Sequence, residues 1–296
     1  MKKVVKAVIP AAGFGTRMLP FAKAVPKELI PLVDAPVLQY VVEEAVAAGA
    51  EDILIIISSG KEALIKHFEP ALELEKRLAD SGKTALLAKM QRLNSLARIQ
   101  FVYQQELKGL GDAVNLAAGF AGDDPCLVLL GDTVMDPRGE RSVAGELVEV
   151  YEKFSSSVVA LEKVPPEKVS SYGIAAGKVI EAGVLELTDL VEKPALEDAP
   201  GDLAVAARYL FTPGIFSALA ETGCGLHGEI QLTDAIRKLM KRERVCGCQI
   251  KGRRFDLGTA AGFVAANVEF ALRRPELQDV LGRQIMEILK SKNIAE

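Results

Sequence analysis

Several classes of protein are closed to this chain by what it does not contain. No apolar run approaches the roughly 18 residues needed to cross a bilayer, and Met1-Lys2-Lys3 leads into a short strand-like segment, not a signal-peptide core. No membrane partner is expected, and a cytoplasmic location is the default expectation. Only two histidines occur, His67 and His227, and the four cysteines at 126, 224, 246 and 248 lack paired metal-ligand spacing, which argues against a structural zinc site. Cys246 and Cys248 would share one face of a strand, where small buried cysteines are commoner than a redox pair. Neither sign of charge dominates: 36 basic against 40 acidic residues leave a formal net charge of -4. No global field recruits nucleic acid, and any phosphate binding must be local. Internal repeats and low-complexity tracts are missing as well.

What is there is globular. The chain of 296 residues is 49% hydrophobic with mean hydropathy +0.20, ample for a well-buried core. Strand patterns recur at Val4 to Ile9, Ile53 to Ile57, Ile99 to Gln104 and Cys126 to Leu130, separated by stretches of helical periodicity. In the helix expected from Val37 to Ala48, Leu38, Val41, Val42, Ala45 and Val46 form an apolar stripe, and Gly49 is available to end it. The alternation predicts an α/β fold, Rossmann-like and doubly wound. Its mostly parallel, mixed sheet carries helices on both faces, and sites gather at the carboxyl ends of the strands. Lys61 to Leu96 reads as two surface helices broken at Asp80-Ser81-Gly82. From Ser157 the texture changes to shorter strands at Val158 to Glu162, Val184 to Val191, Ala204 to Phe211 and Val245 to Ile250. We expect one domain over residues 1–275, with halves at about 1–156 and 157–275. An amphipathic helix follows within 276–296, as a cap or an oligomer contact.

The most informative segment follows the first strand: Ala11-Ala12-Gly13-Phe14-Gly15-Thr16-Arg17-Met18-Leu19-Pro20, then Lys23 and Pro26-Lys27-Glu28. A strand entering a glycine-punctuated loop presents successive backbone N–H groups, and Arg17, Lys23 and Lys27 supply charge for a polyphosphate. A dinucleotide fold needs a third glycine where Met18 stands, and a Walker loop needs Gly-Lys-Ser/Thr, which is absent. A lone Gly-x-Gly also fits a tight turn, and cations usually form a solvated face. The cations here lie directly beyond a buried strand, which favours a nucleoside triphosphate. Asp132 ends the apolar run Leu127-Val128-Leu129-Leu130-Gly131, a placement that suits a magnesium ligand and equally a turn or helix cap.

These strings, together with Ala24-Val25-Pro26-Lys27-Glu28-Leu29-Ile30-Pro31, Gly131-Asp132, Tyr172-Gly173, Glu192-Lys193-Pro194, Gly228-Glu229-Ile230-Gln231-Leu232-Thr233-Asp234 and Phe255-Asp256-Leu257-Gly258, closely resemble the bacterial UTP-glucose-1-phosphate uridylyltransferases, within the sugar-nucleotide pyrophosphorylases. The resemblance implies a nucleotide-diphospho-sugar transferase fold. It implies uridylyl transfer from UTP to glucose 1-phosphate, giving UDP-glucose and pyrophosphate, with magnesium as cofactor and a homo-oligomer, dimer or tetramer. By the same resemblance Arg17, Lys27, Asp132 and Lys193 are catalytic. Ala11, Ala12, Gly13, Gly15, Thr16, Glu28, Gln104 and Gly109 hold the nucleotide, Gly173, Glu192 and Lys193 hold the sugar phosphate, and Asp132 and Asp256 are the metal positions. Gln104 both donates and accepts, which suits the imide edge of uracil. Many relatives carry His where this chain has Asp112, and an Asp there reads as an N-cap without a catalytic role. Pro194 enforces an extended residue before it, so Glu192 and Lys193 reach one substrate only if the strand end twists. His67 and His227 are read as structural or exposed. The nearer rivals are a thymidylyltransferase or a pyrophosphorylase for another sugar phosphate; the remoter one is a catalytically silent sugar-nucleotide sensor.

Overall fold

The computed structural model describes residues 2–225 and 228–294, so His227 lies outside the described residues. Thirteen strands occur among them: β1 (Lys6–Pro10), β2 (Pro31–Leu32), β3 (Ala35–Pro36), β4 (Asp52–Ile57), β5 (Arg98–Tyr103), β6 (Cys126–Leu129), β7 (Thr133–Asp136), β8 (Ser157–Lys163), β9 (Gly173–Glu181), β10 (Val184–Glu192), β11 (Leu203–Phe211), β12 (Val245–Gln249) and β13 (Arg253–Asp256). Nine of them form one sheet in the order β5-β4-β1-β6-β11-β8-β12-β10-β9. The first four are parallel, and their chain order, third-second-first-fourth, is that of a Rossmann half. β11 then runs antiparallel to β6 and β8, and apart from the parallel pair β8–β12 the remaining strands of the sheet are antiparallel.

Strand order reverses between β1 and β6, which opens a crevice at their carboxyl ends. Alternating strand residues serve two cores. Ile9, Ile53, Ile55, Ile57, Leu127 and Leu129 face the helices α1 (Val37–Ala47) and α7 (Val143–Phe154). Val8, Leu54, Ile56, Cys126 and Val128 face α5 (Leu110–Asn115), α8 (Gly214–Ala220) and α9 (Leu232–Leu239). The Val37 helix forms as its stripe predicts, with Val37, Leu38, Val41, Val42 and Ala45 buried.

The segment expected to hold two surface helices holds three: α2 (Ala63–Phe68), α3 (Leu72–Asp80) and α4 (Thr84–Asn94). The extra break falls at Glu69, whose ψ of 146° is extended, as the clash with the ring of Pro70 requires. Beside the main sheet β7 pairs antiparallel with β13, placing Asp256 opposite Thr133. Helix α10 (Ala260–Leu272) closes a third core on this pair through Ala266, Phe255 and Val134, and α11 (Pro275–Ser291) packs on α10. The short helix α6 (Ala118–Ala121) precedes β6. No described helix is long and apolar enough to cross a membrane.

Candidate active site

The loop after β1 is pinned from behind. Ala11 N donates to Ile56 O, Ser58 Oγ donates to Ala12 O at 2.8 Å, and Lys61 Nζ donates to Ala11 O at 2.6 Å and Gly13 O at 2.7 Å. The carbonyls of residues 11–13 are thus consumed on the β4 side, while the amides of residues 12–15 find no acceptor among the described residues. That polarity is what an anion-binding loop requires. Gly15 is at φ +68°, and a Cβ there would sit 3.0 Å from the Lys27 stem, so the loop needs glycine at this turn.

No motif marks Lys61 in the sequence, although a lone cation just beyond a buried strand is a usable signal. Its ammonium also meets both Glu28 oxygens at 2.9 Å. Glu28, expected at the nucleoside, is 1% exposed and serves in the structure as the anchor for Lys61. Burial pushes Glu28 up and Lys61 down, against their mutual attraction.

Two loop cations meet the two acidic positions. Lys27 Nζ lies 2.7 Å from Asp132 Oδ2, and Arg17 Nη1 lies 3.0 Å from Asp256 Oδ2. Burial opposes charge on both partners of the first pair. The attraction between them wins, holding Lys27 above the usual lysine value and Asp132 below the usual carboxylate value. Gly258 N donates to Asp256 Oδ1 at 2.9 Å, and a Cβ on Gly258 would stand 2.8 Å from the Arg17 guanidinium. The β7–β13 pairing brings the two carboxylates to one edge, which no local pattern announces.

Beneath Asp132 sits another unforeseen residue. Arg208 is 0% exposed in the apolar strand β11; it pairs with Glu44 Oε2 at 2.7 Å and donates to Thr133 O at 2.8 Å and Ala207 O at 3.0 Å. A charged residue inside an apolar strand is the signal that could have found it.

Across the site from the loop, Glu192 ends β10 opposite Gly173 and accepts from Thr233 Oγ1 at 3.1 Å. Lys193 corrects the expectation of an extended residue before Pro194: its φ is +43°, a conformation rare for a side-chain-bearing residue. Its amide closes on Tyr172 O at 3.0 Å, and this long-range bond overrides the local preference. The required turn therefore falls at Lys193 itself. A Cβ on Gly173 would meet Thr233 Cγ2 at 2.8 Å, so glycine there lets β9 close on α9.

Asp112 is a second correction. Gly109 caps α5, and Asp112 stands in its first turn, where it accepts from Gln104 Nε2 at 2.7 Å. A Cβ on Gly109, at φ +100°, would come within 2.9 Å of Ile230 O, so the turn packs against the 229–230 backbone.

These walls enclose two confluent cavities. One, about 630 Å³, is lined by Ala11, Ala12, Gly13, Gly15, Thr16, Arg17, Lys27, Glu28, Gln104, Gly109, Asp132 and Lys193. The other, about 500 Å³, is lined by Arg17, Asp132, Gly173, Glu192, Lys193, Thr233, Arg254 and Asp256, with Arg254 also stacked 4.2 Å from the Tyr172 ring. Every candidate site residue lines one or both; Lys23 is exposed and lines neither. His67 lies elsewhere, bonded to Gln39 and held below the usual histidine value by burial. Cys126, Cys246 and Cys248 are buried and free, as small apolar side chains in strands are expected to be.

The nucleotidyl transferase family profile matches residues 6–272. The chain is 46% identical over 281 residues to a Bacillus subtilis UTP-glucose-1-phosphate uridylyltransferase, covering 95% of this chain and 96% of that one. Among solved structures it resembles a UDP-glucose pyrophosphorylase complexed with UDP-glucose, at 39% identity and TM-score 0.85 over 92% of this chain and 100% of that one. It also resembles a UTP-bound UGPase from Acinetobacter baumannii, at 34% identity and TM-score 0.89 over 96% and 99%.

Proposed function

The chain belongs to the nucleotidyl transferase family, and from that premise we propose that it transfers the uridylyl group of UTP to glucose 1-phosphate, giving UDP-glucose and pyrophosphate. The observation that carries this reading is the pair of confluent cavities sharing Arg17, Asp132 and Lys193. UTP takes the cavity beside the pinned loop, glucose 1-phosphate takes the one bounded by Gly173 and Glu192, and the shared residues stand where the two phosphates meet.

The chemistry asks little of the protein beyond positioning and charge neutralisation. A phosphate monoester with a second pKa near ~6 is mostly dianionic at neutral pH and needs no general base. No histidine lines either cavity among the described residues. Arg17 and Lys27 stabilise charge on the α-phosphoryl group and the departing pyrophosphate, and Lys193 offsets repulsion from the incoming sugar phosphate.

Asp132 and Asp256 suit magnesium, because they offer hard carboxylate oxygens at one edge and no third acidic or imidazole ligand joins them among the described residues. These two carboxylates would hold the ion. When bound, it neutralises and orients the phosphates. We also propose a homo-oligomer through α11, whose Val280, Met286 and Ile288 are exposed; light scattering tests it. The activity itself is tested by pyrophosphate release across a grid of nucleoside triphosphates and sugar 1-phosphates. The expected maximum is UTP with glucose 1-phosphate. A maximum at dTTP or another sugar phosphate moves the assignment, and no turnover with any pair leaves only the sensor.

A further inference from the structure

Gln104 follows β5 and is 4% exposed, yet it lines the nucleotide cavity. Its amide nitrogen is committed on both sides: Nε2 donates to Asp112 Oδ2 at 2.7 Å and to Gly109 O at 3.3 Å. An ionised carboxylate and a carbonyl only accept. The amide cannot turn over without setting its oxygen against two others, so its orientation is dictated by its partners. Oε1 is the end left over. It accepts nothing from the described residues and is open to the cavity.

Asp112 is itself fixed. It stands in the first turn of α5, next to Gly111, whose amide donates to Ile230 O at 2.8 Å. A Cβ on Gly111 would come within 2.7 Å of that same oxygen, so the turn is seated directly on the 229–230 backbone. The backbone that carries the carboxylate is thus held in place beside the amide.

We infer that Asp112 is a positioning residue that locks the Gln104 amide with its oxygen toward the base, and so selects a pyrimidine that donates at N3 over one that accepts there. Uracil carries N3–H and satisfies Oε1. Cytosine presents a lone pair at N3, which sets Oε1 against another acceptor. Its 4-amino group reaches Oε1 only if the ring slides along the cavity.

The inference rests on the proposed function only in taking the ligand to be a pyrimidine nucleotide at Gln104. Calorimetric binding of UTP, CTP and N3-methyl-UTP, measured apart from turnover, tests it in wild type and in Asp112→Asn, whose amide can donate to Gln104 and permit the flip. Wild type is expected to bind UTP at least about tenfold tighter than either analogue, since a hydrogen-bonding site rejects ligands that leave it unpaired. In Asp112→Asn the preference for UTP over CTP is expected to fall by about tenfold, while UTP and N3-methyl-UTP converge. Equal wild-type affinities for UTP and N3-methyl-UTP overturn the inference without recourse to any variant. An unchanged UTP-to-CTP ratio in a folded Asp112→Asn overturns it too. Absence of UDP-glucose formation by wild type would instead strike the function proposed above, because base selectivity is read in binding alone.

Discussion

The two walls of the site are built on different physics. On the nucleotide side the loop is held by a buried charge pair, with Glu28 and Lys61 almost sealed from solvent and the Lys61 ammonium also gripping two loop carbonyls. On the sugar side Lys193 is 47% exposed, 3.5 Å from Glu192, and is placed by backbone shape: a positive φ, a bond to Tyr172 O and a glycine at 173. One wall is stiffened by charges that cannot separate without cost. The other aims an exposed cation from a fixed turn. Damage to the buried pair of the first should therefore appear in stability as well as activity, and damage to the second mainly in substrate affinity.

The largest expected effect is on the nucleotide side. Lys61→Met leaves Glu28 buried and unpaired, and should cost about 3–5 kcal/mol in chemical denaturation. Adding Glu28→Leu should restore much of that stability, yet UTP binding should stay weak because Ala11 and Gly13 have lost their donor. Full recovery of UTP affinity in the double variant would make the clamp merely structural.

Arg17→Ala separates catalysis from stability. The Arg17–Asp256 pair is exposed on the arginine side, 59%, and such pairs contribute about 0–1 kcal/mol to folding. A charge-assisted contact in the transition state is worth about 3 kcal/mol, so turnover should fall a hundredfold or more with the melting temperature nearly unmoved. A near-normal kcat would remove Arg17 from the mechanism.

On the sugar side, Lys193→Ala should weaken the transition state by about 1.5–3 kcal/mol, mainly as a higher KM for glucose 1-phosphate. UTP affinity should hold. Parallel losses for both substrates would dissolve the distinction between the walls. A smaller effect, about 1 kcal/mol, is expected when Glu192→Gln weakens an acceptor for sugar hydroxyls, and competition between glucose and galactose 1-phosphates reads it as reduced discrimination. Smallest of all, thiol titration should find one fast cysteine, Cys224. Burial pushes Cys126 and Cys248 up to about 12 and raises Cys246, so the other three react only after unfolding.

The sequence is legible where chemistry and chain direction coincide. Ala11 to Arg17 and Gly131-Asp132 follow apolar strands, so their place at the strand ends is legible from period and punctuation alone. Local rules fail where a distant partner outvotes them. Asp112 looked like a helix cap and instead holds Gln104, because Gly109 already occupies the cap. Lys193 looked extended and is left-handed, because Tyr172 takes its amide.

By itself, then, the order of residues determines the alternation of strands and helices, the two buried faces of each central strand and the polarity of the phosphate loop, since all three depend on neighbours within a few positions. Only the tertiary structure decides that Lys61 backs that loop, that Arg208 lies under Asp132, and that Asp132 and Asp256 share an edge. Each of these is a buried or juxtaposed charge, stable only beside a partner far away in the chain, and no local pattern carries the identity of that partner.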